Sequence, residues 1–297
     1  MSNITKNAMI TICGRPNVGK STLTNCLVGE KIAIVSNKPQ TTRNRICAIL
    51  NTGDTQLVIM DTPGLHRART RLGDYMVKVV KESVADVDAV VMLVEPIANI
   101  GPQEQELMDS LKHSRVPAIL CINKIDTVPP EELLSVIALY SQVHDFAAVI
   151  PISAKNGDGT QELLAEMKKY ASEGPMLFPE DMITDQPEKQ VCAEIVREKL
   201  LLCLDKEVPH GTAVEITRFT ERDNEIIDLD VTIYCEKASH KGIIIGKQGA
   251  MLKKIGALAR QDIETFMGTR VFLQTWVKVK ENWRDSQAQL RNFGYSE

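Results

Sequence analysis

Residues 8–21 read AMITICGRPNVGKS, a short apolar run followed by a glycine-containing loop and the start of a helical pattern. The loop matches G-x-x-x-x-G-K-[S/T] in the strand-to-helix context that this motif requires. Glycines let successive backbone N–H groups turn inward around phosphate oxygens, and the helix N-terminus adds positive potential. A plain glycine turn is the alternative interpretation. The predicted phosphate loop comprises Gly14, Arg15, Pro16, Asn17, Val18, Gly19, Lys20 and Ser21.

Outward from this loop, apolar runs alternate with helix-length amphipathic segments as far as residue 172. This is the pattern of βαβ crossovers onto a mainly parallel sheet. The predicted strands are 8–13, 45–50, 56–60, 89–94, 118–122 and 147–151. Predicted helices between them include 21–28, 103–113, 130–143 and 160–170. Residues 1–172 are therefore expected to form one doubly wound α/β domain.

Three further motifs follow strands of the predicted sheet. DTPG closes the third strand, where Asp61 is expected to hold Mg²⁺ through water and the Gly64 N–H to meet a γ-phosphate. NKID follows the fifth strand, and the Asp126 carboxylate can accept two hydrogen bonds from guanine that adenine does not offer. SAK follows the sixth strand and would complete the base pocket. The residues concerned are Asp61, Thr62, Pro63, Gly64, Leu65, Asn123, Lys124, Ile125, Asp126, Ser153, Ala154 and Lys155.

Four motifs in this order at strand ends resemble the guanine-nucleotide-binding P-loop GTPases. The resemblance implies that Lys20 reaches the β- and γ-phosphates, that the Ser21 hydroxyl ligates Mg²⁺, and that GTP is hydrolysed to GDP and phosphate. It also implies a Mg²⁺-binding threonine between the first helix and the second strand. Thr42 is the preferred candidate there, and Thr41 is the alternative.

Two positions depart from the signalling GTPases. Those enzymes carry a glutamine after DxxG that orients the attacking water, whereas this chain has Leu65, which cannot hydrogen-bond water. Slow intrinsic hydrolysis is therefore expected. GTPases that combine GRPNVGKS with a TTR loop use the loop asparagine to hold K⁺, so the resemblance implies K⁺ at Asn17; a loop-shaping role is the alternative. The expected catalytic set is Asn17, Lys20, Thr42 and Gly64.

Residues 173–187, EGPMLFPEDMITDQP, carry three prolines and no helical period, which predicts a linker. The order of elements then changes. A helix over 188–204, strands at 213–220 and 226–234, two helical pieces of which the second is 250–266, and a strand over 270–280 give the order αββααβ. We predict a small α+β domain over 188–297.

GKQG at 246–249 separates the two helical pieces of this second domain. A G-x-x-G between helices lets a single-stranded RNA backbone approach the main chain and clamps about four nucleotides. Alone, GKQG is also compatible with an interhelical turn, but in αββααβ order it resembles a type II KH domain. The expected RNA-binding residues are Ile245, Gly246, Lys247, Gln248, Gly249, Lys253 and Lys254.

Charge and aromatic residues support this interpretation. Residues 237–280 hold nine basic and two acidic residues, so 9 − 2 gives +7, although a solvated lysine face is the alternative. The last strand places Phe272 and Trp276 with cations on one side. We expect the C-terminal tail containing Trp283 to cover that side, the alternative being that its rings stack RNA bases.

Composition limits the remaining classes. The 297 residues are 43% hydrophobic and 25% charged with net charge −4, which excludes a disordered chain and a bulk nucleic-acid binder. Residues 1–187 hold 18 basic and 22 acidic residues, whereas 188–297 hold 17 of each. The seven cysteines form no C-x-x-C pair, and we expect a reducing compartment. No apolar run reaches the roughly 18 residues of a membrane span and the N-terminus lacks a signal-peptide pattern, so a cytoplasmic protein is expected.

A GTPase domain followed by one type II KH domain, with FPED in the linker, is similar to the bacterial Era family across nearly the whole chain. The resemblance implies a GTPase switch that binds 16S rRNA through its KH domain and assists assembly of the small (30S) ribosomal subunit. It implies Mg²⁺ and K⁺ as ions and a monomer, with peripheral association with anionic membrane left open. The alternatives are a nucleotide-sensing signalling or cell-cycle GTPase at the membrane or on protein partners, and a KH protein that binds GTP without useful turnover.

Overall fold

The structure, a computed structural model, describes residues 4–65, 70–222 and 225–295. Contacts divide the described residues into two units. The first unit contains 4–33, 42–65 and 76–185; the second contains 34–41, 70–75 and the described part of 186–295. The segment after Gly64, which we expect to respond to hydrolysis, falls partly on 66–69, outside the described residues.

A mainly parallel sheet forms the centre of the first unit. Its strands are β1 (Lys6–Cys13), β2 (Ile46–Thr52), β3 (Thr55–Asp61), β4 (Ala89–Val94), β5 (Ala118–Ile122), β6 (Ala148–Pro151) and β7 (Ser172–Glu173). They lie in the order β2-β3-β1-β4-β5-β6, and β7 pairs with the start of β1. Among these strands of the described residues, β2 and β7 run antiparallel to their neighbours and the others are parallel. Gly53, with φ 64°, supplies the tight turn between β2 and β3.

Helices cover both faces of this sheet. They are α1 (Lys20–Val28), α2 (Arg71–Ala85), α3 (Pro102–Ser114), α4 (Pro130–Val143) and α5 (Thr160–Lys168). Alternate residues of β4 belong to different hydrophobic clusters, because Val91 and Leu93 pack on one face and Val90 and Met92 on the other. A parallel sheet buried on both faces is the reason its strands read as continuous apolar runs. The predicted doubly wound α/β domain is confirmed.

The second unit is built on a three-stranded sheet in the order β10-β9-β8. Its elements are α6 (Glu188–Cys203), β8 (Thr212–Glu221), β9 (Ile227–Cys235), α7 (Ala238–Ile245), α8 (Ala250–Met267), β10 (Val271–Val279) and α9 (Gln287–Asn292). The β9 and β10 strands are parallel, and β8 is antiparallel to β9. Residues at helical spacing on α8, including Ile255, Ala259 and Ile263, are buried in the hydrophobic core. The predicted αββααβ order is confirmed.

Much of the predicted linker packs on the first unit. The buried Gln56 side chain accepts hydrogen bonds from the N–H groups of Leu177 (2.8 Å) and Phe178 (2.9 Å). Farther along, the Ile49 N–H donates to the carbonyl of Ile183 at 2.9 Å. The chain is therefore fastened along β2 and β3 before it enters the second unit.

The C-terminal tail covers a different surface from the one we expected. Trp276 and Phe272 are 44% and 49% exposed, whereas Trp283 is fully buried. The Trp283 indole N–H donates to the Gly211 carbonyl at 2.9 Å, and its ring contacts that of Phe293. The expectation is wrong because a buried indole N–H needs an acceptor, and the tail finds one away from the outer side of β10. No helix within the described ranges is both long and apolar enough to cross a membrane.

Candidate functional site

The predicted phosphate loop joins β1 to α1, and its backbone requires glycine at two positions. Gly14 has φ 152° and Gly19 has φ 102°. A Cβ at Gly14 would lie 2.2 Å from the Leu93 carbonyl oxygen, and one at Gly19 would lie 2.3 Å from Asn123 Nδ2. Either clash would push the loop away from its neighbouring strands. Glycine is therefore needed for close approach as well as for backbone conformation.

Lys20 lies inside this loop. Its Nζ donates to the carbonyls of Gly14 at 3.1 Å and Arg15 at 2.9 Å, and the side chain is buried. Burial lowers the pKa of Lys20, while the Asp61 carboxylate opposes that shift. The loop thus places a cation where the motif predicts phosphate binding.

Three side-chain oxygens converge beside the loop. Ser21 Oγ lies 2.8 Å from Thr42 Oγ1 and 2.7 Å from Asp61 Oδ2. Asp61 is fully buried, and its Oδ1 has no hydrogen-bond partner among the described residues. Burial raises the pKa of Asp61 to about 6, against the opposing effects of Lys20 and Ser21. Hydroxyl and carboxylate oxygens with an unsatisfied buried acceptor fit the donor preference of Mg²⁺.

The contacts of Thr42 and Thr41 distinguish between these two candidates for the Mg²⁺-binding threonine. Thr42 is buried against Ser21, whereas the Thr41 hydroxyl donates to the Lys38 carbonyl at 2.6 Å. Geometry therefore favours Thr42 as the residue that joins Ser21 and Asp61.

DTPG lies directly against the phosphate loop. A Cβ at Gly64 would come within 2.8 Å of the Pro16 Cα, and the Leu65 N–H donates to the Gly14 carbonyl at 3.1 Å. The Leu65 side chain lines a cavity of about 300 Å³ with Val80 and Leu107. Leu65, at the position that carries glutamine in signalling GTPases, therefore contributes an apolar contact and no hydrogen bond to the attacking water.

Asn123 connects the phosphate loop to the SAK segment. Its Nδ2 donates to the Val18 carbonyl at 2.8 Å, and its Oδ1 accepts from the Ala154 N–H at 2.9 Å. Lys124 Nζ donates to the carbonyl of Asn17 at 2.7 Å. Asn17 itself has a left-handed backbone, with φ 66°. These contacts of the NKID motif join the phosphate loop to the SAK segment.

Asp126 stands exposed at the rim of the same site. Ser153 Oγ donates to Asp126 Oδ1 at 2.7 Å, and this bond lowers the pKa of Asp126. The preceding Ile125 N–H donates to the Ile152 carbonyl at 3.2 Å, and Lys155 is exposed nearby in the chain. An ionised, exposed carboxylate of fixed orientation is suited to accept hydrogen bonds from guanine.

Two glutamates support the site but were missed by the sequence interpretation. Glu95 pairs with Lys124 at 2.6 Å, and the fully buried Glu104 pairs with Arg15 at 2.8 Å. Glu95 directly follows β4, at the carboxyl edge where parallel sheets place site residues, so its position was an available indication. Glu104 lies in α3 and has no motif to mark it.

The predicted RNA-binding loop connects α7 to α8. Gly246 has φ 72°, and a Cβ there would lie 2.7 Å from the Met251 Cβ. Lys247, Gln248, Lys253 and Lys254 are exposed. Ile243, 49% exposed on α7, adds an apolar side chain that the sequence interpretation missed. The loop thus presents cations beside exposed apolar surface.

Comparison with known proteins agrees with this arrangement. Residues 9–124 match the family model described as a 50S ribosome-binding GTPase, and residues 207–284 match that of the KH domain. GTPase Era of Ruminiclostridium cellulolyticum is 51% identical over 290 residues, covering 98% of this chain and 97% of that protein.

Two solved structures are similar over almost the entire chain. Era in complex with MgGDPNP and nucleotides 1506–1542 of 16S ribosomal RNA has a TM-score of 0.95 and 38% identity, covering 99% of this chain and 100% of that one. A substituted Aquifex aeolicus Era bound to GDP·AlF4⁻ has a TM-score of 0.94 and 38% identity, covering 98% and 100%. The identity and coverage establish that the chain belongs to the Era family of GTPases, with a GTP-hydrolysing P-loop domain followed by a KH domain.

Proposed function

We propose that this GTPase binds the 3′ region of 16S rRNA through its α7–α8 loop and assists assembly of the 30S subunit. The observation that carries the proposal is the exposed G-x-x-G loop in an αββααβ unit. The loop lies in the segment 237–280, whose net charge is +7. One of the similar solved structures is that of Era with nucleotides 1506–1542 of 16S ribosomal RNA. A KH loop of this kind holds a single-stranded backbone close to the main chain.

Two glycines that flank α8 provide a matched test. Gly249 and Gly268 lie at opposite ends of the helix with φ 80° and 66°, and an added Cβ meets nothing within 4 Å at either position. Gly249→Asp and Gly268→Asp therefore impose similar backbone strain, but only the first places a carboxylate in the loop. We expect Gly249→Asp to weaken binding of a 3′-end 16S rRNA fragment at least ten-fold and Gly268→Asp to change it less than two-fold. Equal affinities would contradict RNA binding through this loop.

For the first unit, we propose that Gly14–Ser21 hold the phosphates and that the Gly64 N–H detects the γ-phosphate. Ser21 and Thr42 would hold Mg²⁺ directly, and Asp61 would hold it through water. Asn123, Lys124 and Asp126 would select guanine, and Ser153–Lys155 would complete the base pocket. Mg²⁺, when bound, neutralises charge on the β- and γ-phosphates. The convergence of Ser21, Thr42 and Asp61 supports this assignment. The GTP-binding domain would comprise 1–172 and the RNA-binding KH domain 188–297, with 173–187 as the linker between them.

We further propose that K⁺ bound at Asn17 supplies positive charge beside the phosphates. This charge would compensate for Leu65, whose side chain cannot orient the attacking water. Asn17 lies within the phosphate loop, and its side-chain amide carries an oxygen of the kind that can ligate a cation beside the phosphates. Its left-handed backbone, with φ 66°, is the conformation that the alternative loop-shaping role predicts, so the comparison of salts decides between the two roles. Turnover should be several-fold faster in KCl than in NaCl at equal ionic strength, and Asn17→Ala should remove the difference. Equal rates of the unsubstituted protein in the two salts would eliminate the proposal.

Hydrolysis would also control access to RNA, since γ-phosphate release frees the loop at Thr42 in GTPases of this type. RNA affinity measured at one salt concentration should differ between the GTP-analogue and GDP complexes. Identical values would exclude nucleotide control.

We propose that the protein acts in the cytoplasm as a monomer. If Gly249→Asp left both RNA binding and binding to anionic vesicles unchanged, the result would instead favour signalling at a membrane.

A further inference from the structure

The segment 34–41, which leads into Thr42, is held by α6 within the second unit. We propose that Arg197 of α6 is a positioning residue for GTP hydrolysis, because it fixes the main chain immediately before Thr42. The inference rests on the role proposed above for Thr42. It extends that role to a residue far outside the nucleotide-binding motifs.

Arg197 uses its guanidinium to connect this segment to α6. Nη1 donates to the Gln40 carbonyl at 3.4 Å, and Nη2 donates to the Thr41 carbonyl. Nε and Nη2 also donate to the two carboxylate oxygens of Glu194, at 2.9 and 2.5 Å. The residue is fully buried. A planar fork can satisfy a bidentate carboxylate and two carbonyls together, which a lysine ammonium cannot do in the same geometry.

The main chain at this point is restrained in an uncommon conformation. Gln40 has φ 60°, in the left-handed region that residues with a Cβ seldom occupy. Such conformations persist where surrounding contacts over-determine them. The carbonyls held by Arg197 belong to Gln40 and Thr41, so only one peptide bond separates the restrained main chain from Thr42.

Three more residues of the second unit hold the same segment. The Val35 N–H donates to Glu198 Oε1 at 2.9 Å. Lys38 Nζ donates to the Leu204 carbonyl and lies 3.3 Å from Asp205 Oδ1. The segment is therefore fastened near its start, middle and end. A loop held in place before reaction loses less conformational freedom when Thr42 engages the bound nucleotide, which favours the rate of hydrolysis.

Arg197→Lys tests this inference, with Arg284→Lys as the matched control. Arg284 pairs with Glu236 at 2.5 Å in the same unit, and none of its described hydrogen bonds reaches 34–41. We expect Arg197→Lys to lower kcat at least ten-fold while GDP affinity stays within two-fold, because GDP has no γ-phosphate to engage Thr42. Hydrogen–deuterium exchange of 34–41 should be faster in Arg197→Lys and unchanged in Arg284→Lys. An unchanged kcat, or unchanged exchange of 34–41, in folded Arg197→Lys would overturn the inference.

Two further variants keep the test decisive. If Arg197→Lys does not fold, Glu194→Gln loosens the guanidinium while keeping Arg197, and we expect it to lower kcat about three-fold; an unchanged kcat would overturn the inference. Thr42→Ala separates the two proposals. Loss of hydrolysis in Thr42→Ala together with full activity in Arg197→Lys would reject the positioning role alone. Full activity in Thr42→Ala would reject the role proposed for Thr42 itself.

Discussion

Asn123→Ala should destabilise the nucleotide site, because the buried Asn123 side chain hydrogen-bonds to two of its loops. The substitution leaves the Val18 carbonyl and the Ala154 N–H without their partners. An unsatisfied buried backbone group costs about 1–3 kcal/mol, so the loss of both predicts about 2–6 kcal/mol of unfolding free energy in the first unit. Because both loops belong to the candidate site, we also expect GDP affinity to fall at least ten-fold, or about 1.4 kcal/mol.

Asn25→Ala is the matched control for this prediction. Asn25 Nδ2 donates to the Ala33 carbonyl at 2.7 Å, and its Oδ1 accepts from the N–H groups of Ile32 and Ala33. It therefore bridges main-chain groups in the first unit, as Asn123 does, but outside the nucleotide motifs. We expect a comparable loss of stability with GDP affinity within three-fold of the unsubstituted protein.

The two tryptophans make the assay selective. Trp276 and Trp283 both lie in the second unit, so tryptophan fluorescence during urea unfolding reports that unit, while far-ultraviolet circular dichroism reports both. Asn123→Ala should shift the dichroism transition and leave the fluorescence transition in place. Unchanged GDP affinity despite the expected loss of stability would refute the inference that Asn123 organises the site; an unchanged dichroism transition would refute the stability argument.

Three other substitutions give distinct expected outcomes. Asp126→Asn should weaken GDP binding about a thousand-fold or more and favour xanthosine diphosphate, measured by competition, because an amide no longer accepts both guanine hydrogen bonds. Gly64→Ala should lower kcat at least ten-fold with GDP affinity nearly unchanged, since its Cβ would lie 2.8 Å from Pro16 Cα; equal kcat would exclude a γ-phosphate role for this contact. Trp283→Ala should cost about 3–5 kcal/mol in unfolding free energy, whereas Trp276→Ala should cost clearly less, because Trp276 is 44% exposed and Trp283 is fully buried. Similar losses at both tryptophans would contradict the placement of the tail.

Features specified by local chemistry were predictable from the sequence. Apolar runs and glycine spacing located β4 and β5 to the residue and placed the phosphate loop between β1 and α1. The reason is physical, because a strand buried on both faces must be apolar throughout and a phosphate loop must contain glycine at fixed positions. The G-x-x-G loop between α7 and α8 was identifiable on the same grounds.

Long-range contacts were not predictable in this way. The ion pair between Glu104 and Arg15 joins positions far apart in the chain, and neither residue belongs to a pattern that specifies the other. The tail was expected on the outer side of β10 because that side carries the aromatic residues Phe272 and Trp276 together with cations. The decisive group is the Gly211 carbonyl, an acceptor that every residue carries and no sequence pattern marks.

The same reasoning explains why Arg197 escapes a motif search. Its partners on segment 34–41 are the main-chain carbonyls of Gln40 and Thr41, which remain available whatever side chains stand there. A contact between a side chain and the main chain constrains the identity of only one partner, and here that partner lies outside every nucleotide-binding motif. Asn123 and Lys124 use main-chain carbonyls in the same way, but their own motif marks them. Residues that organise a nucleotide site through main-chain groups therefore have to be sought in the structure, by following each buried cation to the carbonyls it holds.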